Sequence, residues 1–192
     1  RQIGYFLKDI SGDGVPELIV GAITEEDGTY RYGSELYAVY SCQQGYVKRL
    51  FFGGTHQRYT LLSDGRILTM TMDGVHDFGV GVYRISLDGS EITCEDYYFV
   101  VAADESAQRG DVYHNTSGQS DVGVSEKMNM TPEDVLTLGR KLDGQAQPVR
   151  LYPFSLYFYE PKEPFAPETS RVWVRRREAV DPGTYYRSRF RV

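Results

Sequence analysis

The chain has 192 residues, two cysteines and a formal net charge of −6. Hydrophobic residues make up 41% and charged residues 25%, a balance that excludes intrinsic disorder and provides enough apolar side chain for one folded domain. Sixteen tyrosines and nine phenylalanines favour β-strands, because aromatic side chains pack well on a pleated sheet. No stretch is long and apolar enough to predict a transmembrane segment.

The first two predicted strands, 3–7 and 17–23, enclose a short acidic loop. Asp9, Ser11, Asp13 and Glu17 occupy loop positions 1, 3, 5 and 9, and the carbonyl of Val15 is a further candidate ligand. Calcium binds six to eight oxygens at about 2.3 to 2.6 Å, so short oxygen-bearing side chains at alternate positions suit it, and a glycine at position 6 permits the sharp turn. The sequence therefore predicts a calcium site with these five ligands. A plain acidic β-turn is the alternative.

At these residues the loop resembles the DxDGDG calcium loops of EF-hands, dockerins and FG-GAP propeller repeats. An EF-hand requires a bidentate glutamate at position 12 and a following helix. Here position 12 is Val20, and the residues that follow Glu17 are strand-like. The resemblance is therefore to the FG-GAP type, in which an acidic residue at position 9 leads into a strand. The loop has no second copy, so no propeller of such repeats is predicted.

A looser resemblance extends over more of the chain. The run 9–21, the triplet 35–37, the turn 64–65 and the run 131–134 resemble uncharacterised surface or lipoprotein domains of Gram-positive gut bacteria. This resemblance implies a secreted, cell-envelope setting and no known activity. We therefore expect an extracellular or cell-surface location, with a leader or lipid anchor ahead of residue 1.

Further short apolar or alternating segments follow at 35–40, 46–52, 58–62, 66–71, 79–86 and 91–101. Asp-Gly pairs at 27–28, 64–65 and 88–89 separate several of them and supply the positive φ angles that hairpin turns require. This spacing is typical of an antiparallel meander. We predict a mainly β fold, a β-rich α+β domain built from hairpins.

The second half of the chain has one predicted helix. Residues 103–130 are rich in polar and glycine residues and predict a long loop with one short strand near 112–113. A helix is predicted at 132–142, because Thr131 is a good N-cap and Pro132 suits the first helical position. Val135, Leu138 and Leu142 supply its apolar stripe.

An aromatic strand is predicted at 149–160, before a proline-rich link and a basic end. We assign 1–164 to one antiparallel β domain and 165–192 to a C-terminal strand segment with seven arginines and three acidic residues. This segment is expected to pack on its own domain or on a neighbouring chain, which would make a homo-oligomer. No nucleic-acid motif accompanies the arginines, so no nucleic-acid partner is predicted.

Other chemically active residues give weaker patterns. His56, His76 and His114 lack the spacing of a zinc site. Asp73, His76 and Asp77 place two carboxylates beside an imidazole, a group that suits acid–base chemistry in a cleft or a solvated turn. No catalytic set is predicted from them.

Cys42 and Cys94 form no CxxC motif, and the sequence leaves open either a disulfide or two small buried thiols. The leading hypothesis for function is a calcium-stabilised extracellular domain that binds an unknown protein or glycan partner without catalysis. The rival is a hydrolase acting on glycans or cell-wall material, with acids such as Asp73 and Asp77 in a cleft. A third reading is a purely structural module of a larger surface protein.

Overall fold

The computed structural model describes residues 2–27, 30–54, 57–72, 78–103 and 109–154, which belong to one compact unit ending at Phe154. The expected domain boundary at 164 and the basic segment 165–192 lie outside the described residues. The strands within the described ranges are β1 (Gln2–Lys8), β2 (Glu17–Ile23), β3 (Glu25–Asp27), β4 (Tyr30–Gly33), β5 (Glu35–Gln43), β6 (Tyr46–Phe52), β7 (Gln57–Leu61), β8 (Ile67–Met72), β9 (Phe78–Ile85), β10 (Ile92–Ala102), β11 (Gly110–Asn115), β12 (Glu126–Met128), β13 (Val149–Arg150) and β14 (Tyr152–Pro153).

Eleven of these strands form one antiparallel sheet, which confirms the predicted mainly β fold. Its order is β12-β11-β10-β9-β8-β7-β5-β2-β1-β14, and β6 pairs with the part of β5 that lies beyond β7. The other three strands form a small sheet in the order β13-β4-β3. Two of the three predicted Asp-Gly turns are confirmed: Gly65 and Gly89 have φ angles of +82° and +65° in the β7–β8 and β9–β10 hairpins, whereas Gly28 lies outside the described residues.

The large sheet curls around the main hydrophobic core. Ile19 of β2, Val39 of β5, Ile67 of β8 and Ile85 of β9 belong to one buried cluster, although β2 and β9 are separated by three strands in the sheet order. The sheet is strongly curved, because Gln43 at the end of β5 donates to the carbonyl of Asp88 in the β9–β10 turn, although two strands lie between β5 and β9 and neighbouring strands are about 4.8 Å apart. The acidic loop between β1 and β2 lies beside this core, since Ile10 packs against it.

A second core lies on the opposite face of β8 to β11, under the helix α1 (Pro132–Asp143). Thr131 is the N-cap, as predicted, and it also forms a capping box with Asp134. The helix buries Val135 completely, whereas Leu138 is half-buried and lies outside the second cluster. No helix in the described ranges is long and apolar enough to cross a membrane.

Three stretches differ from the sequence-based expectation, the first being the unpredicted short strands β3 and β4. The strand predicted near 112–113 is β11, but the supposed loop after it also contains a 3-10 turn at Val122–Val124 and the edge strand β12. The described part of 149–160 is two strands rather than one. The chain changes sheets at Leu151, whose N–H donates to the carbonyl of Arg31, so that β13 pairs with β4 and β14 pairs with β1.

Candidate metal site

The candidate site is the loop that connects β1 to β2. These strands pair without a break from Gln2 opposite Ile23 to Lys8 opposite Glu17, so both ends of the loop are fixed by the sheet. Gly12 and Gly14 have φ angles of +86° and +85°, values that side-chain-bearing residues rarely adopt. The tight turn expected at position 6 is therefore present.

Asp9 organises the first part of the loop through its carboxylate. The N–H of Gly12 donates to Asp9 Oδ1 at 2.6 Å, and the N–H of Gly14 donates to Asp9 Oδ2 at 2.9 Å. The Ser11 hydroxyl lies 3.4 Å from the same Oδ1. The carboxylate of Asp13 organises the second part of the loop, since its Oδ1 accepts the N–H of Val15 at 2.7 Å. The predicted ligands at positions 1, 3 and 5 are thus directed into one small loop.

Glu17 is the least ordinary residue of the site. It is only 1% exposed, and its Oε2 accepts the backbone N–H groups of Ile10 at 2.7 Å and Ser11 at 3.3 Å. Its other oxygen, Oε1, is buried and has no hydrogen-bond partner. The lysine opposite it in the sheet, Lys8, donates to Gln147 Oε1 instead. A carboxylate is thus buried inside the loop with one oxygen unsatisfied, an arrangement that costs free energy unless a cation, a water molecule or a proton satisfies that oxygen.

The donor set suits a hard cation of the calcium type. Asp9, Ser11, Asp13 and Glu17 supply side-chain oxygens, and Val15 would supply its carbonyl. Each carboxylate oxygen that accepts a loop N–H keeps a second lone pair for a cation. Across the described ranges, no three acidic, histidine or cysteine side chains converge closely enough to hold a metal by themselves. Any metal held here would therefore depend on the hydroxyl and carbonyl oxygens as well.

The loop also contacts the β9–β10 turn through a residue that the sequence analysis missed. Gln43, at the end of β5, donates from Nε2 to Asp13 Oδ2 at 3.3 Å and to the carbonyl of Asp88. Hydrogen bonds from Ser86 Oγ and from the N–H of Ser90 hold the pKa of the Asp88 carboxyl down at about 2. Gln43 carries no sequence signal, because its role depends on sheet curvature that brings distant turns together.

Of the histidines and acidic residues considered for acid–base chemistry, His114 alone lies within the described residues. His56, His76, Asp73 and Asp77 lie outside the described residues. His114 Nε2 lies 3.0 Å from Asp96 Oδ1. The ring of His114 packs on Tyr98 with 4.6 Å between centroids, the ordinary environment expected for it.

A groove of about 360 Å³ lies near the start of β5, where the pairing partner of β5 changes from β7 to β6. Leu36, Met70 and Met72 form its apolar lining, and Glu35 and Arg58 are the charged groups in its described wall. Arg58 Nη2 forms an ion pair with Asp143 Oδ1 at 3.2 Å. The described wall therefore supplies one carboxylate, whereas glycoside hydrolysis ordinarily uses two.

Both cysteines are free, so the described structure contains no Cys42–Cys94 disulfide. Cys94 is half-buried, and burial, the largest effect, raises the pKa of its thiol to about 11. Cys42 is exposed, which differs from the expectation of two buried thiols. It lies one residue before the end of β5 at Gln43 and is paired with Val47 of β6.

No family model matches the chain, and no curated protein and no solved structure matches it. The class of protein therefore rests on its own fold and site: a mainly β domain with a candidate calcium loop at one end of a curled antiparallel sheet.

Proposed function

We propose that the loop Asp9–Glu17 binds calcium and thereby stabilises an extracellular domain that binds a partner without catalysis. The observation that carries the proposal is Glu17, a buried carboxylate with an unsatisfied Oε1 and no described ion pair. A divalent cation at that oxygen would satisfy it and would neutralise the charges of Asp9 and Asp13 on the same loop. The loop then gains its full stability only when the cation is bound.

The expected affinity for calcium supports an extracellular location. Ser11 stands where a third aspartate would add charge, so we expect a dissociation constant of about 10⁻⁴ to 10⁻³ M, typical of extracellular modules. Such a site is filled where calcium is millimolar, outside the cell. The extracellular location is therefore part of the same proposal.

The surface of β6 supports a binding role. Tyr46, Val47 and Phe52 are each exposed by 60% or more, and among the described strands β6 pairs only with β5. Exposed apolar side chains grouped on one strand are typical of surfaces that contact a partner. The site and this strand are adjacent, because Gln43 at the loop and Tyr46 flank the same β5–β6 turn.

Thermal unfolding in calcium, magnesium and chelator tests the proposal. In about 10 mM calcium the melting temperature should rise by about 3 to 10 °C, because a ligand that binds only the folded state stabilises it by mass action. Magnesium should raise it less, since magnesium demands a tighter octahedral geometry. Asp13→Ala should abolish the difference between the two ions. Equal melting temperatures for the wild type in calcium and in chelator would contradict the proposal.

A variant in the exposed surface of β6 serves as a control for the calcium site. Phe52→Ser removes an exposed apolar side chain from β6, far from the loop ligands in sequence. This variant should keep the full calcium-dependent increase in melting temperature, because Phe52 takes no part in the site.

A further inference from the structure

Gln43 connects the candidate calcium loop to the turn between β9 and β10. Its Nε2 lies 3.3 Å from Asp13 Oδ2 and 3.3 Å from Ser41 Oγ, and it also donates to the carbonyl of Asp88. One amide group therefore contacts a candidate calcium ligand and the backbone of a turn that lies far away in sequence.

Gly89 allows the turn to approach this closely. A Cβ at position 89 would lie 2.6 Å from Gln43 Nε2 and 3.1 Å from Asp13 Oδ2, so only glycine leaves room for both. The same turn has a second anchor, because Lys48 Nζ donates to the carbonyl of Ser90 at 2.6 Å. The described hydrogen bond of Lys48 is not to a residue of the loop. The turn thus has two anchors: Gln43 also contacts the candidate ligand Asp13, and Lys48 is bonded to the turn alone.

We propose that Gln43 is a positioning residue for the calcium ligand Asp13, and that through it calcium occupancy controls the rigidity of the β9–β10 turn. This inference rests on the proposed calcium function. Asp13 can offer one oxygen to the cation while its Oδ2 accepts from Gln43, so that binding fixes the orientation of both side chains. The amide fixed in this way then holds the carbonyl of Asp88.

The coupling between calcium binding and the contact of Gln43 with the turn is reciprocal. If calcium strengthens the contact of Gln43 with the turn, that contact must strengthen calcium binding by the same factor. Residues that hydrogen-bond a metal ligand typically change affinity by about 10- to 100-fold when they are replaced. Because the Asp13–Gln43 contact is long, at 3.3 Å, we expect the lower end of that range, about 10-fold.

Gln43→Met is the direct test, because methionine keeps the length of the side chain and removes its donor. The matched control is Lys48→Ala, which removes the other anchor of the same turn. Calcium affinity is measured by calorimetric titration. Hydrogen exchange is measured with and without calcium at the amides of 11–15 in the loop and of 86–91 in the turn.

In the wild type, calcium should slow exchange in both segments. In Gln43→Met, affinity should fall about 10-fold, and saturating calcium should still protect the loop but no longer the turn. In Lys48→Ala the turn should exchange faster in both states, while calcium affinity and the calcium-dependent protection of the turn persist.

Two outcomes would overturn the inference while leaving the calcium site intact. One is a wild-type protein in which calcium protects the loop but not the turn, a result that requires no variant. The other is a folded Gln43→Met protein with wild-type affinity and unchanged protection of the turn. If calcium protects neither segment of the wild type and does not bind, the calcium proposal itself fails, and this inference fails with it.

Discussion

Tyr97 occupies the space that a side chain at Gly81 would need. The two residues are paired across β9 and β10, and a Cβ at position 81 would lie 2.7 Å from Tyr97 Cδ2. The ring of Tyr97 is almost fully buried, and its hydroxyl is hydrogen-bonded to Thr71 Oγ1 at 2.9 Å and to Ser120 Oγ at 3.0 Å. Burial and the two hydrogen bonds of its hydroxyl therefore fix the position of the ring.

Gly81→Ala should destabilise the protein, because neither the strand backbone nor Tyr97 can move away cheaply. We expect a loss of about 1 to 3 kcal/mol, the usual cost of overpacking a core, measured by chemical denaturation. Gly54→Ala is the control, since a Cβ there would meet no atom of the described residues within 4 Å. A loss at Gly81 no larger than at Gly54 would show that Tyr97 does not fill this space.

Val135→Ala should cost more than Leu138→Ala, although leucine is the larger residue. Val135 is fully buried in the second core, whereas Leu138 is half-buried and lies outside that cluster. We expect about 1 to 3 kcal/mol for Val135, and less for Leu138. Denaturant midpoints of the two variants decide the order. The reverse order would mean that α1 docks through a different face.

Cys94 should react slowly with a thiol-alkylating reagent at neutral pH. Its pKa of about 11, against an ordinary 9.0, leaves about 100-fold less thiolate at pH 8. In a Cys42→Ser variant, the labelling rate should rise about tenfold per pH unit up to about pH 10, because the thiolate is the reacting form. A rate that levels off below pH 9 would rule out the raised pKa.

The strand pattern was readable from the sequence because its signals are local. Alternating apolar residues and the Asp-Gly pairs at 64–65 and 88–89 predict hairpins from adjacent residues alone, and the structure contains them. Thr131 and Pro132 gave the start of α1 in the same way. The apolar stripe of the helix was predicted less accurately. Leu138 was predicted to belong to it, but the residue that lies against Met70 and Val80 is Gly139.

Features that depend on distant partners could not be predicted. β12 and β14 have three and two residues and exist because β11 and β1 offer them an edge. The candidate ligands were predicted from their alternation, but the burial of Glu17 and its unsatisfied oxygen depend on how the folded loop packs around its side chain. The contact of Gln43 with Asp13 requires the same curvature.

Replacing Glu17 separates a calcium ligand from a merely buried acid. Glu17→Gln keeps the shape of the side chain and an oxygen for the N–H of Ile10, but it removes the buried charge. In chelator this variant should be at least as stable as the wild type, because an uncompensated buried charge has gone. In calcium it should gain nothing. Melting curves under both conditions provide the measurement, and a Glu17→Gln protein that calcium still stabilises would exclude Glu17 as a ligand.

Calorimetric titration of calcium into the wild type, Glu17→Gln and Asp64→Asn decides whether the loop is a calcium site with Glu17 as a ligand. Asp64 is the matched control, because it also lies in an Asp-Gly turn but both its oxygens are satisfied by Arg66. We expect a single site with a dissociation constant of about 10⁻⁴ to 10⁻³ M in the wild type and in Asp64→Asn, and no measurable binding in Glu17→Gln. A wild type that binds no calcium would rule out the site, and a Glu17→Gln variant that binds calcium with wild-type affinity would rule out Glu17 as a ligand.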